Sequence, residues 1–163
     1  MDGVIPDLRV GTGFDTHALV AGRPLVLGGV AIPHDRGLAG DSDADALLHA
    51  CADALLGAAA LGDLGRFYPP GAPGSRGLDS RRILTEVLAR VSAERWTVVN
   101  VDTTVIAQAP RLAPHLEPMR ASLASLLALP LDRVSVKAKS TDRLGFLGRA
   151  EGIAAMATVL LAR

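Results

Sequence analysis

The sequence has few cysteines, few aromatic residues and no excess of charge, and each shortage excludes a class of protein. The 163-residue chain has one cysteine, Cys51, so no internal disulfide can form and we expect a reducing, cytoplasmic location. Its 17 acidic residues balance 17 basic ones, and its aromatic residues are one tryptophan, one tyrosine and three phenylalanines. The composition therefore predicts neither the basic surface nor the stacking platform of a nucleic-acid-binding protein.

Long apolar runs are also missing. No run reaches 18 residues, and the segment MDGVIPDLRV lacks a basic stretch followed by an apolar one, so we expect neither a membrane span nor a signal peptide. What is present is an ordinary globular composition, with 49% hydrophobic and 21% charged residues. Length and composition predict one domain, residues 1–163, large enough to bury a core.

The residue pattern predicts strands interleaved with helices. Strands are predicted over 8–11, 97–108, 132–139 and 152–161, and 24–33 is predicted to be a strand pair or a bulged strand around Gly28-Gly29. The glycine-rich stretch between 11 and 24 is read as a loop. Helices are predicted over 42–60, 79–95 and from Pro114 to just before Pro130, the first opened by a capping box at Ser42 to Asp45. This order predicts an α+β fold, a two-layer sandwich of a mixed β-sheet with helices packed on one face.

Three residues have spacing suitable for a metal site. Asp15 and His17 alternate in the segment RVGTGFDTH, so in an extended chain both side chains face the same way, and a helix presenting His49 could add a third ligand. Three protein ligands leave one position open, as in a catalytic zinc site. The alternative is that the D-x-H triplet is accidental and that His49 is an ordinary polar residue on its helix.

Two acidic residues are placed to support His49. Asp45, His49 and Asp53 recur every fourth residue and therefore share one face of the predicted helix. A carboxylate one turn away could orient the imidazole through its second ring nitrogen. Both acids could equally be solvated surface residues.

Polar loops follow several predicted elements. They are Asp63-Leu64-Gly65, the stretch from Ala107 to Arg111, and the stretch from Lys139 to Asp142. Hydroxyls, cations and free backbone amides at such positions are what phosphate oxygens require. Each loop by itself could be only a turn.

Taken together and in this order, the motifs resemble those of the 2-C-methyl-D-erythritol 2,4-cyclodiphosphate synthase family along nearly the whole chain. The resemblance rests on GTGFDTH at 11–17, SDADALLHACADALLGAAALGDLG at 42–65, NVDTTVIAQAPRLAPH at 100–115 and KAKSTDRLGFLGRAEG at 137–152. It implies a phosphorus-oxygen lyase of the non-mevalonate isoprenoid pathway. Such an enzyme converts 4-diphosphocytidyl-2-C-methyl-D-erythritol 2-phosphate to the cyclic diphosphate and releases CMP.

The resemblance also implies the cofactors and catalytic residues. Zinc would be held by Asp15, His17 and His49, and a second divalent cation, magnesium or manganese, would lie near Asp142. Ser140 matches a phosphate-contacting threonine of the family. Asp41 stands where many relatives carry a histidine credited with a role in the transition state.

Implied substrate contacts cover both halves of the chain, with a cytidine pocket at 107–113. They are Asp15, Thr16, His17, Asp41, Ser42, Asp63, Leu64, Gly65, Tyr68, Ala107, Gln108, Ala109, Pro110, Arg111, Leu112, Ala113, Lys139, Ser140, Thr141, Asp142, Phe146 and Arg149.

Three departures from the family pattern bear on activity. A carboxylate at Asp41 would repel phosphate, so it points away, is protonated, or slows the enzyme. An acidic FPDTDP-like loop is replaced by the sequence YPPGAP at 68–73. Lys139 replaces a common threonine and could either pair with Asp41 or bind phosphate.

The resemblance further implies a homotrimer with active sites between subunits, and the mean hydropathy of +0.31 is compatible with buried interfaces. Phe146, Arg149 and Glu151 match residues of the family's central cavity, where an isoprenoid diphosphate can bind. The alternative is that Arg149 and Glu151 only pair with each other at the interface.

Two other functions stay open at this point. The departures could leave a non-catalytic trimer that binds zinc and cytidine nucleotide or an isoprenoid diphosphate. A zinc phosphohydrolase is a third possibility, distinguished by the release of inorganic phosphate or a hydrolysed sugar phosphate.

Overall fold

The structure, a computed structural model, describes residues 7–163, and its main element is a mixed sheet. The strands are β1 (Leu8–Ala21), β2 (Leu25–Leu27), β3 (Val30–Ile32), β4 (Arg36–Leu38), β5 (Thr97–Ile106), β6 (Val134–Lys139) and β7 (Gly152–Ala162). The helices are α1 (Ala46–Ala58), α2 (Leu64–Phe67), α3 (Ser80–Ala93), α4 (Leu116–Leu126) and α5 (Gly145–Gly148), with 3-10 turns at Ala113–His115 and Leu131–Arg133.

The main sheet has five strands in the order β4-β1-β7-β5-β6. Strand β7 is antiparallel to both β1 and β5, whereas β5 and β6 are parallel. The mixed sheet predicted from the sequence is therefore confirmed. Strands β2 and β3 form a separate antiparallel pair, so of the two alternatives for 24–33 the strand pair is confirmed and the bulged strand is wrong. The one-domain prediction takes in residues 1–6, which lie outside the described residues.

The first strand is much longer than predicted. The glycine-rich stretch after Gly11 was expected to be a loop, but β1 runs without interruption to Ala21 and pairs with β7 from Leu8 to Ala18. Glycine weakens a strand in isolation, but here it allows a helix to approach the sheet. A Cβ on Gly11 would lie 2.0 Å from the carbonyl oxygen of Ala54, and one on Gly13 would lie 1.9 Å from that of Ala50.

The start of α1 also differs from the prediction. The helix is capped by Asp45, whose carboxylate accepts hydrogen bonds from the backbone N–H groups of Leu47 and Leu48. The hydroxyl of Ser42, the predicted cap, instead accepts a hydrogen bond from the N–H of Ala44, and Ser42 lies three residues before the observed cap. The second predicted helix is confirmed, since Asp79 caps α3. Strand β4 and the short helices α2 and α5 were not predicted.

Among residues 7–163, helices cover one face of the central strands and leave the other uncovered. Helix α1 packs on β1 and β7, and α3 packs on α1. On the other face large apolar side chains are exposed, including Val10 at 67%, Phe14 at 55% and Met156 at 51%. Helices on one face of a mixed sheet were predicted, and among residues 7–163 no helix is long and apolar enough to cross a bilayer.

Candidate metal and phosphate site

The close packing of α1 on β1 creates the candidate site. Asp15 and His17 follow Gly11 and Gly13 on the same face of β1, because side chains alternate along a strand. His49 lies in the first turn of α1. The glycines bring the helix against the strand, and the helix carries His49 to the two strand residues.

The three side chains meet around one point. His17 Nε2 lies 2.8 Å and His49 Nδ1 lies 3.0 Å from the same Asp15 oxygen, Oδ2, and the two ring nitrogens are 3.2 Å apart. Ligand atoms around a tetrahedral zinc ion with bonds of about 2.0 Å are about 3.3 Å apart. The set consists of one carboxylate and two imidazoles, and small adjustments of these side chains would let it hold a metal ion.

The cluster shifts the acidities of its members in opposite directions. Burial, the largest influence on Asp15, raises the pKa of its carboxyl, but hydrogen bonds and positive charge from His17 and His49 together lower it to about 2. Burial acts to lower the pKa of His17, but its hydrogen bond with Asp15 and the charge of that carboxylate give a net rise. Asp15 is consequently ionised at neutral pH, as a metal ligand must be.

Each histidine is also held through its second ring nitrogen. His17 Nδ1 lies 2.8 Å from the carbonyl oxygen of Ala39. His49 Nε2 lies 2.9 Å from Ser80 Oγ and 3.3 Å from Ser42 Oγ. These contacts leave His17 Nε2 and His49 Nδ1 facing the cluster centre.

The predicted support from Asp45 or Asp53 is wrong. Asp45 is fully buried and accepts hydrogen bonds from the N–H groups of Gly28 and Gly29 as well as capping α1. Asp53 accepts one at 2.6 Å from the N–H of Leu64. Both acids are thus engaged with backbone amides, and around the fully buried Asp45 unpaired amides would be costly.

A cavity of about 450 Å³ opens beside the cluster. It brings together the predicted site residues Asp15, His17, Asp41, Ser42, His49, Leu64, Gly65 and Tyr68. Its wall also includes Gly40, Asp53, Pro69, Pro70, Ser75, Leu78 and Ile83.

Asp41 turns toward the loop that follows Tyr68. Its carboxylate accepts a hydrogen bond of 2.8 Å from the N–H of Gly71, and its carbonyl accepts one of 2.6 Å from the N–H of Gly77. The Asp41 carboxylate is therefore engaged with the loop, and Asp41 also lines the first cavity. Within the described part of the chain, the ion pairs do not include one between Asp41 and Lys139.

A second cavity, of about 260 Å³, is lined by most of the predicted substrate contacts in the second half of the chain. Its lining consists of Ala107, Gln108, Pro110, Arg111, Leu112, Ala113, Ala138, Lys139 and Ser140. It shares no residue with the first cavity. The two groups of predicted substrate contacts are thus separate within one chain.

Seven predicted contacts line neither cavity: Thr16, Asp63, Ala109, Thr141, Asp142, Phe146 and Arg149. Several have structural partners instead.

The hydroxyl of Thr16 donates to the carbonyl of Ile153, and Asp63 caps α2. Asp142 accepts a hydrogen bond of 3.2 Å from Ser140 Oγ. Arg149 pairs with Glu151 of the same chain at 2.6 Å.

Sequence reasoning missed Ser80 and Asp43. The hydroxyl of Ser80 contacts His49 and donates to the Asp43 carboxylate. Neither residue carries a local signal, because Ser80 follows the helix cap Asp79 and Asp43 falls inside the apparent capping box. The packing of α3 against α1 brings Ser80 to the imidazole, and Asp43 contacts Ser80 there.

Comparison with known proteins gives a consistent result. Residues 8–162 match the YgbB family. The chain belongs to this family. A 2-C-methyl-D-erythritol 2,4-cyclodiphosphate synthase from Paraburkholderia phymatum is 60% identical over 157 residues, which are 96% of this chain and 99% of that protein.

Solved structures agree with the membership of the YgbB family. A structure of 2C-methyl-D-erythritol-2,4-cyclodiphosphate synthase is 39% identical, with a TM-score of 0.87 over 94% of this chain and 99% of that one. A CDP-bound form is 37% identical, with a TM-score of 0.86 over 94% and 99% of the two chains. The resemblance proposed from the sequence motifs is therefore confirmed.

Proposed function

We propose that this YgbB-family chain converts 4-diphosphocytidyl-2-C-methyl-D-erythritol 2-phosphate to 2-C-methyl-D-erythritol 2,4-cyclodiphosphate and CMP. The observation that carries the proposal is the Asp15, His17 and His49 cluster beside a cavity of about 450 Å³, in a chain 60% identical to a named synthase. The relationship favours this reaction over a non-catalytic binder and over a phosphohydrolase.

The reaction is an intramolecular phosphoryl transfer. An oxygen of the 2-phosphate bonds to the β-phosphorus, the bond from that phosphorus to the oxygen bridging to the α-phosphate breaks, and CMP leaves with that oxygen. No water is consumed. Such a step depends on positioning and on neutralising phosphate charge more than on a strong base.

We assign zinc to the cluster because one carboxylate and two imidazoles are a zinc-type donor set with a position left for substrate. Bound there, zinc would neutralise charge on a phosphate oxygen. We place a second divalent cation, magnesium or manganese, near Asp142, whose carboxylate is exposed next to the hydroxyl of Ser140. Ser140 would donate to a phosphate oxygen, and Lys139 and Arg111 would add positive charge.

We propose that the second cavity, with the segment 107–113, receives the cytidine end of the substrate. The CDP-bound relative supports a nucleotide diphosphate as the ligand class. The two cavities share no residue, so a complete site would combine the first cavity of one subunit with the second cavity of its neighbour.

A homotrimer would provide that combination. Its support is the group of exposed apolar side chains on one face of the sheet, Val10, Phe14 and Met156, of which Phe14 and Met156 are paired across β1 and β7. We place Phe146 and Arg149 at the central axis, where an isoprenoid diphosphate is the proposed ligand. Since Arg149 already pairs with Glu151, binding there would require that pair to open. One domain over 1–163 and a cytoplasmic location complete the proposal.

A phosphorus NMR assay with purified protein, the cytidine-linked substrate, zinc and magnesium tests the function. We expect CMP and the cyclic diphosphate to appear together. His49→Ala should abolish the reaction because it removes a metal ligand, and His115→Ala, a histidine outside the cluster, should not.

Inorganic phosphate as the product would indicate a phosphohydrolase. Unchanged substrate, with zinc and CMP still bound by the wild-type protein, would indicate the non-catalytic binder.

A further inference from the structure

Two side chains, Ser80 and Asp43, link His49 by hydrogen bonds to a region away from the metal site. Ser80 is fully buried in the first turn of α3, and its Oγ lies 2.9 Å from His49 Nε2. The same hydroxyl donates a hydrogen bond to Asp43 Oδ1. Asp43 also accepts, through Oδ2, a hydrogen bond of 3.2 Å from the backbone N–H of Ser80. The serine is therefore fixed at both its backbone and its hydroxyl.

The proton positions along the hydrogen bonds from His49 through Ser80 to Asp43 follow from which groups can donate. A serine hydroxyl has a single proton, and a carboxylate only accepts, so the Ser80 proton lies toward Asp43. The Ser80 oxygen must then accept from His49, which places a proton on Nε2. A neutral imidazole with its proton on Nε2 has its lone pair on Nδ1, the atom that faces Asp15 and His17.

We infer that Ser80, fixed by Asp43, is a positioning residue that holds His49 with the Nδ1 lone pair toward the metal. The inference rests on the zinc site of the proposed function. His17 is held in the same way by the carbonyl of Ala39, a backbone group that substitution cannot remove. Ser42 Oγ is a longer contact to His49 Nε2, at 3.3 Å, and already accepts from Ala44. The Ser80 contact is therefore the main support of His49.

Ser80→Ala isolates this role. The variant keeps the helix cap, which is Asp79, and alanine suits the first turn of a helix. We expect the zinc dissociation constant, measured by competition with a chelating dye, to rise about 10- to 100-fold, the usual effect of losing such a partner. Ser92→Ala, an exposed serine near the other end of α3, is the matched control and should leave the constant unchanged. Asp43→Asn should act in the same direction by a smaller factor.

Nitrogen-15 NMR of the histidine rings supplies a second measurement that does not depend on activity. In the zinc-loaded wild-type protein the His49 Nε2–H should be protected from solvent exchange, and this protection should be lost in Ser80→Ala. The chain has only 4 histidines, so assignment by single substitutions is direct.

The outcomes separate this inference from the proposed function. If wild type and His49→Ala bind zinc equally, the proposed zinc site is wrong and the inference fails with it. If wild type binds zinc but Ser80→Ala and Ser92→Ala bind it as tightly, only the inference is overturned. Weaker zinc binding with unchanged protection of Nε2–H would also overturn it, because the loss would then be general. Should Ser80→Ala fail to fold, as judged by circular dichroism of the metal-free protein, the same two measurements on Asp43→Asn decide.

Discussion

The two histidines of the metal cluster present different nitrogens to the same point. His17 turns Nε2 toward the cluster centre because its Nδ1 is hydrogen-bonded to a backbone carbonyl. His49 turns Nδ1 toward the centre because its Nε2 is hydrogen-bonded to Ser80. Residue spacing predicts that Asp15 and His17 face the same way, since alternate strand positions share a face. That His49 joins them is implied by the family resemblance and not by spacing. Spacing does not predict which ring nitrogen faces inward, because that depends on partners distant in sequence.

Asp41 raises a second question at the residue scale, namely whether its carboxylate repels phosphate or holds the loop after Tyr68. If it acts through the hydrogen bond to Gly71, Asp41→Asn should behave like wild type because the amide oxygen can still accept. Asp41→Ala should raise KM about 2- to 10-fold, the range for one lost hydrogen bond. It should also speed trypsin cleavage after Arg76, within the released loop.

Steady-state kinetics give KM for the two variants, and timed proteolysis gives the rate of trypsin cleavage. Asp35→Ala, at an exposed residue, is the control. A fall in KM for both Asp41→Asn and Asp41→Ala would show instead that the negative charge opposes substrate binding. Asp41→His should then also increase activity.

At the scale of elements, the site depends on how closely α1 approaches β1. Gly11 and Gly13 face Ala54 and Ala50 across this contact, and any Cβ would meet backbone atoms of the helix. The same glycines made β1 look like a loop in the sequence. A residue type with low strand propensity was required here by packing, which single-sequence patterns do not record.

Gly13→Ala should therefore affect both stability and metal binding. The new Cβ would lie 1.9 Å from the Ala50 carbonyl oxygen, so α1 must move, and His49 moves with it. We expect a loss of about 1–3 kcal/mol in the free energy of unfolding, as in overpacked cores, together with weaker zinc binding.

Urea unfolding of the metal-free protein and zinc titration measure the two effects. Gly57→Ala on the same helix is the matched control, because its Cβ would have only an ordinary contact, 4.0 Å from the Thr12 carbonyl oxygen. Alanine is also the better helix former, so this control should be neutral or stabilising. Equal destabilisation by both substitutions would contradict the close-approach argument.

At the scale of the whole molecule, the proposed homotrimer would explain both the uncovered sheet face and the separation of the two cavities. Phe14 and Met156 are paired across β1 and β7, and both side chains are exposed. Burying such a face against neighbouring subunits would remove apolar surface from water and bring the two cavities of adjacent chains together.

Met156→Glu should dissociate the proposed trimer, because burying three carboxylates, one from each subunit, would be costly. We expect sedimentation to shift from trimer to monomer and activity to be lost with it, while circular dichroism is unchanged. Leu131→Glu is the control, since Leu131 is comparably exposed, at 48%, but lies in a 3-10 turn outside the sheet. An active wild-type monomer, or a trimeric Met156→Glu variant, would refute the shared site.

The sequence by itself determined the mixed α+β class, three of the helices, the family and, through the motifs of that family, the Asp15, His17 and His49 set. These features rest on local periodicity and on residue types with specific chemistry, which a single chain displays directly. The sequence left open whether 24–33 is a strand pair or a bulged strand. Tertiary structure decided the length of β1, the true cap of α1, the orientation of Asp41 and the support of His49 by Ser80. Each of these depends on a contact between segments far apart in the chain, where packing and hydrogen-bond partners override local preference.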